Sequence, residues 1–261
     1  MSLNIEGVEE NENKKPPENE NTTRYKSQSG FVEVKVVRGF TEIADVAMDI
    51  WGQNGTICGG YVRYMCSPLD DPVSASDLDV YCKSEEIYNK LKNLLGNIRR
   101  LSVRHENEIS LTFSKVTNYE HEYFGSPPIQ LIKPLKEGRV VTNGTMEEVL
   151  SNFDFTVIRA GLLTEKSALV DADFLHDEKH KFLRLKNIHC PISSTLRCCK
   201  YSRKGYWLSP YNAYTLFADW ESRDDIYREK IAEFLRKSLE GEGGELTKEE
   251  IDKLEKMMRI D

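Results

Sequence analysis

Nowhere does this sequence contain a run approaching the roughly 20 apolar residues that span a bilayer, and its first thirty residues lack the apolar stretch of a secretion signal. A soluble, unexported chain of cytoplasmic type is therefore expected, with no membrane partner. Cysteines at metal spacing are missing too. The six, at positions 58, 66, 82, 190, 198 and 199, form no CxxC pair, which leaves a structural zinc site unsupported and points to reduced thiols. Cys198 and Cys199 are adjacent, and on a helix such neighbours diverge by about 100°, a poor arrangement for a redox pair. Histidine is scarce. The single i, i+4 pair, His176 and His180, stands beside Asp173 and Asp177 without a clear third ligand, so HDEKH is expected to be a polar exposed turn. Excess positive charge is also absent. A formal net charge of -7 and a pI near 5.5 exclude a protein that coats nucleic acid by bulk charge, but not one with a local basic face.

With 261 residues the chain is long enough for one substantial core with appendages. Residues 1–28 are rich in Glu, Asn, Lys, Pro and Ser and carry almost no aromatic or branched side chain, the composition of a disordered tail. Order is expected from 29. FVEVKVV (31–37) alternates as a strand, and TEIADVAMDIW (41–51) has helical spacing. TIC (56–58) precedes a glycine pair, YVRYM opens a helix, SDLDVYC (76–82) is a strand, and EEIYNKLKNLL (85–95) is an amphipathic helix closed by Gly96. IRRLSVRH and EISLTFSK read as a hairpin, IQLIKPL as a strand, and TMEEVLSNF as a helix capped by Thr145. FTVIRAGLL and SALVDADFL read as two further strands. From about 176 the pattern is helical to the end. The expected fold is α/β (α+β): a mixed sheet flanked by helices over 29–175, then a helical segment over 176–261.

Chemistry concentrates in two stretches. A strand has a period of two, so Asp77 and Asp79 share one face of SDLDVYC while Leu78, Val80 and Cys82 take the other. Two carboxylates on one anchored face suit hard divalent cations, whose preferred ligands are oxygens. Gly59 and Gly60, between a short apolar run and a helix, let backbone approach a phosphate closely, and Arg63 on the first turn is expected to meet the same phosphates. A phosphate cradle followed by metal-binding carboxylates makes up the two halves of a nucleoside triphosphate site.

These motifs resemble the DNA polymerase β-like nucleotidyltransferase superfamily, and within it the head domain of CCA-adding enzymes and bacterial poly(A) polymerases. The family pattern GGxxR, then DxD on a strand, is matched by Gly59-Gly60-Tyr61-Val62-Arg63 and Asp77-Leu78-Asp79. SNFDFTVIRAGL is similar to the family's RRDFTINAL, aligning Asp154-Phe155-Thr156 with DFT. SSTLRCCKYSRKGYWL is similar to the neck segment EDPLRALRFAAKLGF, aligning Arg197, Lys200 and Gly205. The resemblance covers roughly 40–210. It implies a nucleotidyltransferase head with a helical neck, Mg²⁺ or Mn²⁺ held by Asp77 and Asp79, and an NTP held by Gly59, Gly60, Arg63, Arg197 and Lys200. Asp154 would join the catalytic group. The chain departs from the pattern at Asn152-Phe153, where the family has two arginines, at Ile158, and at Ser193-Ser194, where the resemblance assigns base-reading acids. Gln130 stands where many members carry a third metal-site carboxylate.

From Lys181 to Ala218 there are seven Lys or Arg and no Asp or Glu. Tyr201, Tyr206, Trp207 and Tyr211 interleave with them, a pattern that suits equally the stacking of bases or a solvated neck-like helix whose cations serve the NTP phosphates and whose aromatics are core. The expected activity is Mg²⁺-dependent transfer of a nucleotide from an NTP to a hydroxyl, with an RNA 3′ end as the favoured acceptor. Two other readings stay open at this point: nucleotidylation of a protein or small molecule, and a non-catalytic nucleotide- or RNA-binding module of the same fold.

Overall fold

The computed structural model describes residues 30–39, 46, 49–51, 53–99, 101–107, 109–115, 127–134, 144–189, 191–225, 228–229 and 231–233. The tail over 1–28 lies outside them, as do most of the helix expected over 41–51 and most of the expected helical segment beyond 225.

An eight-stranded sheet organises the chain. Its strands are β1 (Phe31–Lys35), β2 (Thr56–Cys58), β3 (Leu78–Tyr81), β4 (Leu101–Glu106), β5 (Ser110–Lys115), β6 (Ile129–Ile132), β7 (Ala160–Leu162) and β8 (Ser167–Asp171), in the order β1-β8-β7-β2-β3-β6-β5-β4. Only the β3–β6 pair is parallel, so the sheet is mixed, as expected. The expected hairpin is present as β4–β5, with a register shift between Val103 and His105.

Alternation divides the sheet into two unlike faces. Ile57, Leu78, Val80, Leu111, Phe113, Ile129 and Leu131 pack under α1 (Gly60–Cys66) and α2 (Glu85–Gly96) in the largest core cluster. Ser84 caps α2 by accepting from the Ile87 amide, and the helix runs through Gly96 to cap at Asn97. The opposite face carries Cys58, Asp79 and Gln130. Part of it is covered by α3 (Met146–Ser151), whose Val149 and Leu150 pack with Phe31, Cys58 and Leu169. Thr145 starts α3 with a reciprocal capping box to Glu148, which satisfies two otherwise orphaned groups.

The segment read as the strand FTVIRAGLL is different. Thr156–Ile158 forms a 3-10 turn and only Ala160–Leu162 joins the sheet. The β-branched residues that suggested a strand are buried around a tight turn. Thr156 holds it, its hydroxyl donating to Asp177 at 2.7 Å and its amide to the Arg184 carbonyl at 3.1 Å.

After β8 come α4 (Phe174–Lys179), β9 (Phe182–Leu183), α5 (Pro191–Ser202), β10 (Trp207–Leu208) and α6 (Pro210–Glu221). The helical expectation for this region missed the short parallel β9–β10 pair. Phe155, Val157 and Ile158 share one buried cluster with Leu183, Cys198, Tyr201, Tyr206 and Leu216, so α5 and α6 are welded to the turn around Asp154.

Candidate active site

Where β2 ends, the chain turns at Gly59 with φ 83° and ψ −144°, a conformation open in practice only to glycine, and enters α1. The Gly59 amide is fixed by the Ala160 carbonyl at 2.8 Å. A Cβ placed on Gly59 would lie 3.2 Å from Asp79 Oδ2 and 3.9 Å from the Phe153 ring. The missing side chain therefore opens the space in front of Asp79. Glycine backbone and carboxylate, read separately from the sequence, face one another.

Asp79 lies half-buried on β3, in register between Cys58 and Gln130. Asp77 precedes the strand by one residue, and Oδ1 of its carboxylate accepts from Ser76 Oγ at 2.8 Å. Burial, and then the negative charge of Asp77, push the Asp79 carboxyl up to about 8, against the opposing charges of Lys200 and Arg197. A buried carboxylate beside a second negative charge suits a divalent cation, which removes the repulsion between them. Among the described residues no group of three or more His, Cys, Asp or Glu converges in a metal-holding arrangement, so the aspartate pair would hold an ion together with phosphate oxygens or water. Gln130 presents an amide beside Asp79, its Nε2 donating to Ser110 Oγ at 2.8 Å.

Asp154 is buried beneath α5. Its Oδ2 accepts from Ser194 Oγ at 2.9 Å and from Arg197 Nη1, while Oδ1 is buried with no hydrogen-bond partner in the structure. Arg197 is thus shared, paired with Asp154 and contributing its positive charge at Asp79. The turn carrying Asp154 is held by Arg159, which donates to the carbonyls of Ser151 and Phe153 at 2.8 Å each and pairs with Asp171 at 3.4 Å. Arg159 had drawn no attention in the sequence, because nothing local shows that its side chain points inward.

Arg63 does not stand where the sequence motif suggests. Its guanidinium is 1% exposed and turned away from the glycine opening: Nη1 donates to Glu178 at 3.0 Å and to Tyr206 Oη at 2.9 Å, and Nη2 to the Val73 carbonyl at 2.5 Å. α1 is too short and too thoroughly buried to leave its arginine at a solvent-facing phosphate. Glu178 belongs to the stretch expected to be an exposed turn. His176 and His180 are indeed exposed, but Asp177 and Glu178 are completely buried. Burial alone would raise the Asp177 carboxyl; hydrogen bonds from Arg184, Thr156 and His176 hold it below the ordinary carboxylate range.

Lys200 reaches the site directly, with Nζ donating to Ser76 Oγ at 2.9 Å. The aromatic residues divide. Tyr201 and Tyr206 are buried, their rings edge-to-face at 5.1 Å around Arg63, so they are core rather than stacking surface. Trp207 and Tyr211 are exposed, together with Tyr214 and Phe217 on α6, which the sequence reading did not single out.

No protein-family model matches the sequence, and no curated protein matches it. Among solved structures the chain is similar in fold to a CCA-adding enzyme in complex with CTP (16% identity, TM-score 0.49, 86% of this chain and 55% of that one). It is also similar to a tRNA nucleotidyltransferase complexed with a primer tRNA and an incoming ATP analog (20%, 0.43, 73% and 56%). A third is the Thermotoga maritima CCA-adding enzyme complexed with tRNA (15%, 0.47, 86% and 54%). The chain spans little more than half the length of each. At such identities and TM-scores the functional reading rests on the site's own geometry. No helix among the described residues is long and apolar enough to cross a membrane.

Proposed function

We propose that this chain is a nucleotidyltransferase that uses a divalent cation, Mg²⁺ or Mn²⁺, to move a nucleotide from an NTP to an acceptor hydroxyl, with an RNA 3′ end as the acceptor. The observation that carries this reading is the apposition of the Gly59 backbone and Asp79 Oδ2, with Asp77, Lys200 and Arg197 acting on the same space. Asp77 and Asp79 would hold the ion. When bound, it neutralises triphosphate charge and strengthens the acceptor hydroxyl as a nucleophile.

The chain's own residues do the rest. Gly59 would admit a phosphate where a side chain would crowd Asp79, and Gly60 opens α1 beside it. Lys200 and Arg197 place positive charge beside the two aspartates, where charge accumulates on the departing pyrophosphate as the acceptor oxygen displaces it from the α-phosphorus. Arg63 contributes from behind, by fixing α1. Asp154 orients Arg197 through their ion pair, so it enters the catalytic group as a positioning residue. The nucleotide and tRNA in the complexes of similar structures accord with an NTP and an RNA acceptor here.

A second reading, transfer to a protein or small molecule, is favoured by one observation: Arg184, Lys186 and Arg197 are paired with Asp177, Asp173 and Asp154, which leaves a smaller basic surface than the sequence suggests. One experiment separates these readings. The full chain is incubated with each labelled NTP, Mg²⁺ and total RNA, then with cell extract. Label in RNA, lost in Asp77→Ala and Asp79→Ala, is the expected result; label in protein or small molecules selects the second reading. Transfer unchanged in Asp79→Ala would overturn the proposal, and an NTP bound without any transfer would identify a non-catalytic module.

A further inference from the structure

Residues 67–77, which connect α1 to β3, have no regular secondary structure, yet they deliver Asp77. Cationic side chains hold this connection along its length. At its start, Arg38 Nη1 donates to the Ser67 carbonyl at 2.5 Å and Arg38 Nη2 to the Leu69 carbonyl. Further along, Arg63 takes the Val73 carbonyl at 2.5 Å, Lys204 Nζ the Ser74 carbonyl at 3.4 Å, and Lys200 Nζ the Ser76 hydroxyl at 2.9 Å. That hydroxyl in turn donates to Asp77 Oδ1 at 2.8 Å. A serine oxygen can accept from an ammonium and donate to a carboxylate at once, so Ser76 fixes the rotation of the Asp77 carboxylate while relaying positive charge to it.

We propose that Ser76 and Lys204 are positioning residues for the aspartate-pair metal site, holding the 67–77 connection against the C-terminal end of α5 so that Asp77 is aimed at the ion held with Asp79. This rests on the nucleotidyltransferase reading and deepens it: the metal site is completed from the second half of the chain, through a strap of hydrogen bonds from residues that are not themselves metal ligands. Groups that orient a ligand in this way typically tune metal affinity about 10- to 100-fold. Both residues suit a test that does not disturb the fold. Ser76 is exposed, and Lys204 lies partly exposed in the turn after α5, its ammonium 5.7 Å from the centre of the Tyr201 ring.

The experiment is a titration of the full chain with Mn²⁺ alone, followed by the electron paramagnetic resonance signal of the free ion, for wild type, Ser76→Ala, Lys204→Met and Lys204→Arg. Thermal melts run in parallel. Ser76→Ala is expected to weaken Mn²⁺ binding about 10-fold and Lys204→Met several-fold, with Lys204→Arg restoring it and melting temperatures unchanged. In transfer assays Ser76→Ala and Lys204→Met raise the Mn²⁺ concentration for half-maximal rate and leave the NTP KM in place, a split that a general loss of structure would not produce. If wild type binds Mn²⁺ and Ser76→Ala and Lys204→Met bind it equally well, the strap proposal falls while the nucleotidyltransferase reading stands. If wild type binds no Mn²⁺, either alone or with a non-hydrolysable NTP present, both fall together.

Discussion

Asp79 is held at an energetic disadvantage until something positive joins it. Its carboxyl, ordinarily near 3.8, is pushed to about 8 by burial and by Asp77. Between those values the folded chain retains a proton that the unfolded chain has released, so stability falls as pH rises through this window. Metal-free protein is therefore expected to melt at lower temperature at pH 8 than at pH 5.5, once the other carboxylates are allowed for by comparison with Asp79→Asn. The variant flattens this part of the slope and melts higher at pH 8. Mg²⁺ raises the wild-type melting temperature most at the alkaline end, and an equal effect of Mg²⁺ on wild type and Asp79→Asn would refute the assignment. Gly59 makes a sharper demand. Gly59→Ala is strained at φ 83° and crowds Asp79 Oδ2, so a loss of about 1–3 kcal/mol in stability and of most transfer activity is expected, measured by denaturant titration and labelled-NTP assay.

At the scale of elements, the pin between α1 and α4 matters most. Arg63 and Glu178 are both buried, and Arg63 stays charged because Tyr201, Glu178 and Tyr206 outweigh the effect of burial. Removing one partner leaves a buried charge unpaired. Arg63→Met is expected to cost about 3–5 kcal/mol in denaturant unfolding, and the double variant Arg63→Met, Glu178→Met to recover much of it. This pin also shows where the sequence stopped being readable. The strand with Asp79 was legible because its period of two is strict and a glycine pair stood close by in the chain; it is shorter than the expected 76–82 and leaves Asp77 just before it. The direction of Arg63 was not, because α1 is a short helix buried on most sides and its partners lie 115 and 143 residues away. Tyr201 and Tyr206 stayed ambiguous for the same reason: an aromatic among lysines reads equally as core or as surface until the buried arginine it surrounds is known. Gln130 was legible in both respects, its position beside Asp79 and its lack of a carboxylate.

For the whole molecule, the question is how a chain of net charge -7 meets a polyanion. The seven cations between Lys181 and Ala218 were visible in the sequence; the acids that answer three of them, Asp154, Asp173 and Asp177, come from outside that run and were not. Binding to single-stranded RNA is therefore expected to use few phosphate contacts. For three or four, the slope of log affinity against log salt is about −2 to −3, checked by fluorescence anisotropy with a labelled oligonucleotide. Trp207→Ala and Tyr211→Ala each are expected to weaken the same complex by ~1–3 kcal/mol if bases stack on them, without changing the slope.

The order of strands in the sheet also governs when a newly made chain acquires its site. β2, which leads into Gly59, lies between β3 and β7, and among the described residues β1 pairs only with β8. A ribosome that has released the first 150 residues has delivered both aspartates and both glycines, but neither β7 to close the flank of β2 nor Lys200 of α5, which donates to Ser76 beside Asp77. The early strands must wait with open edges for partners more than a hundred residues downstream. Such long-range closure makes folding slow and leaves apolar edges exposed in the interval. The candidate site is therefore complete only late in synthesis, after the whole of α5 has emerged.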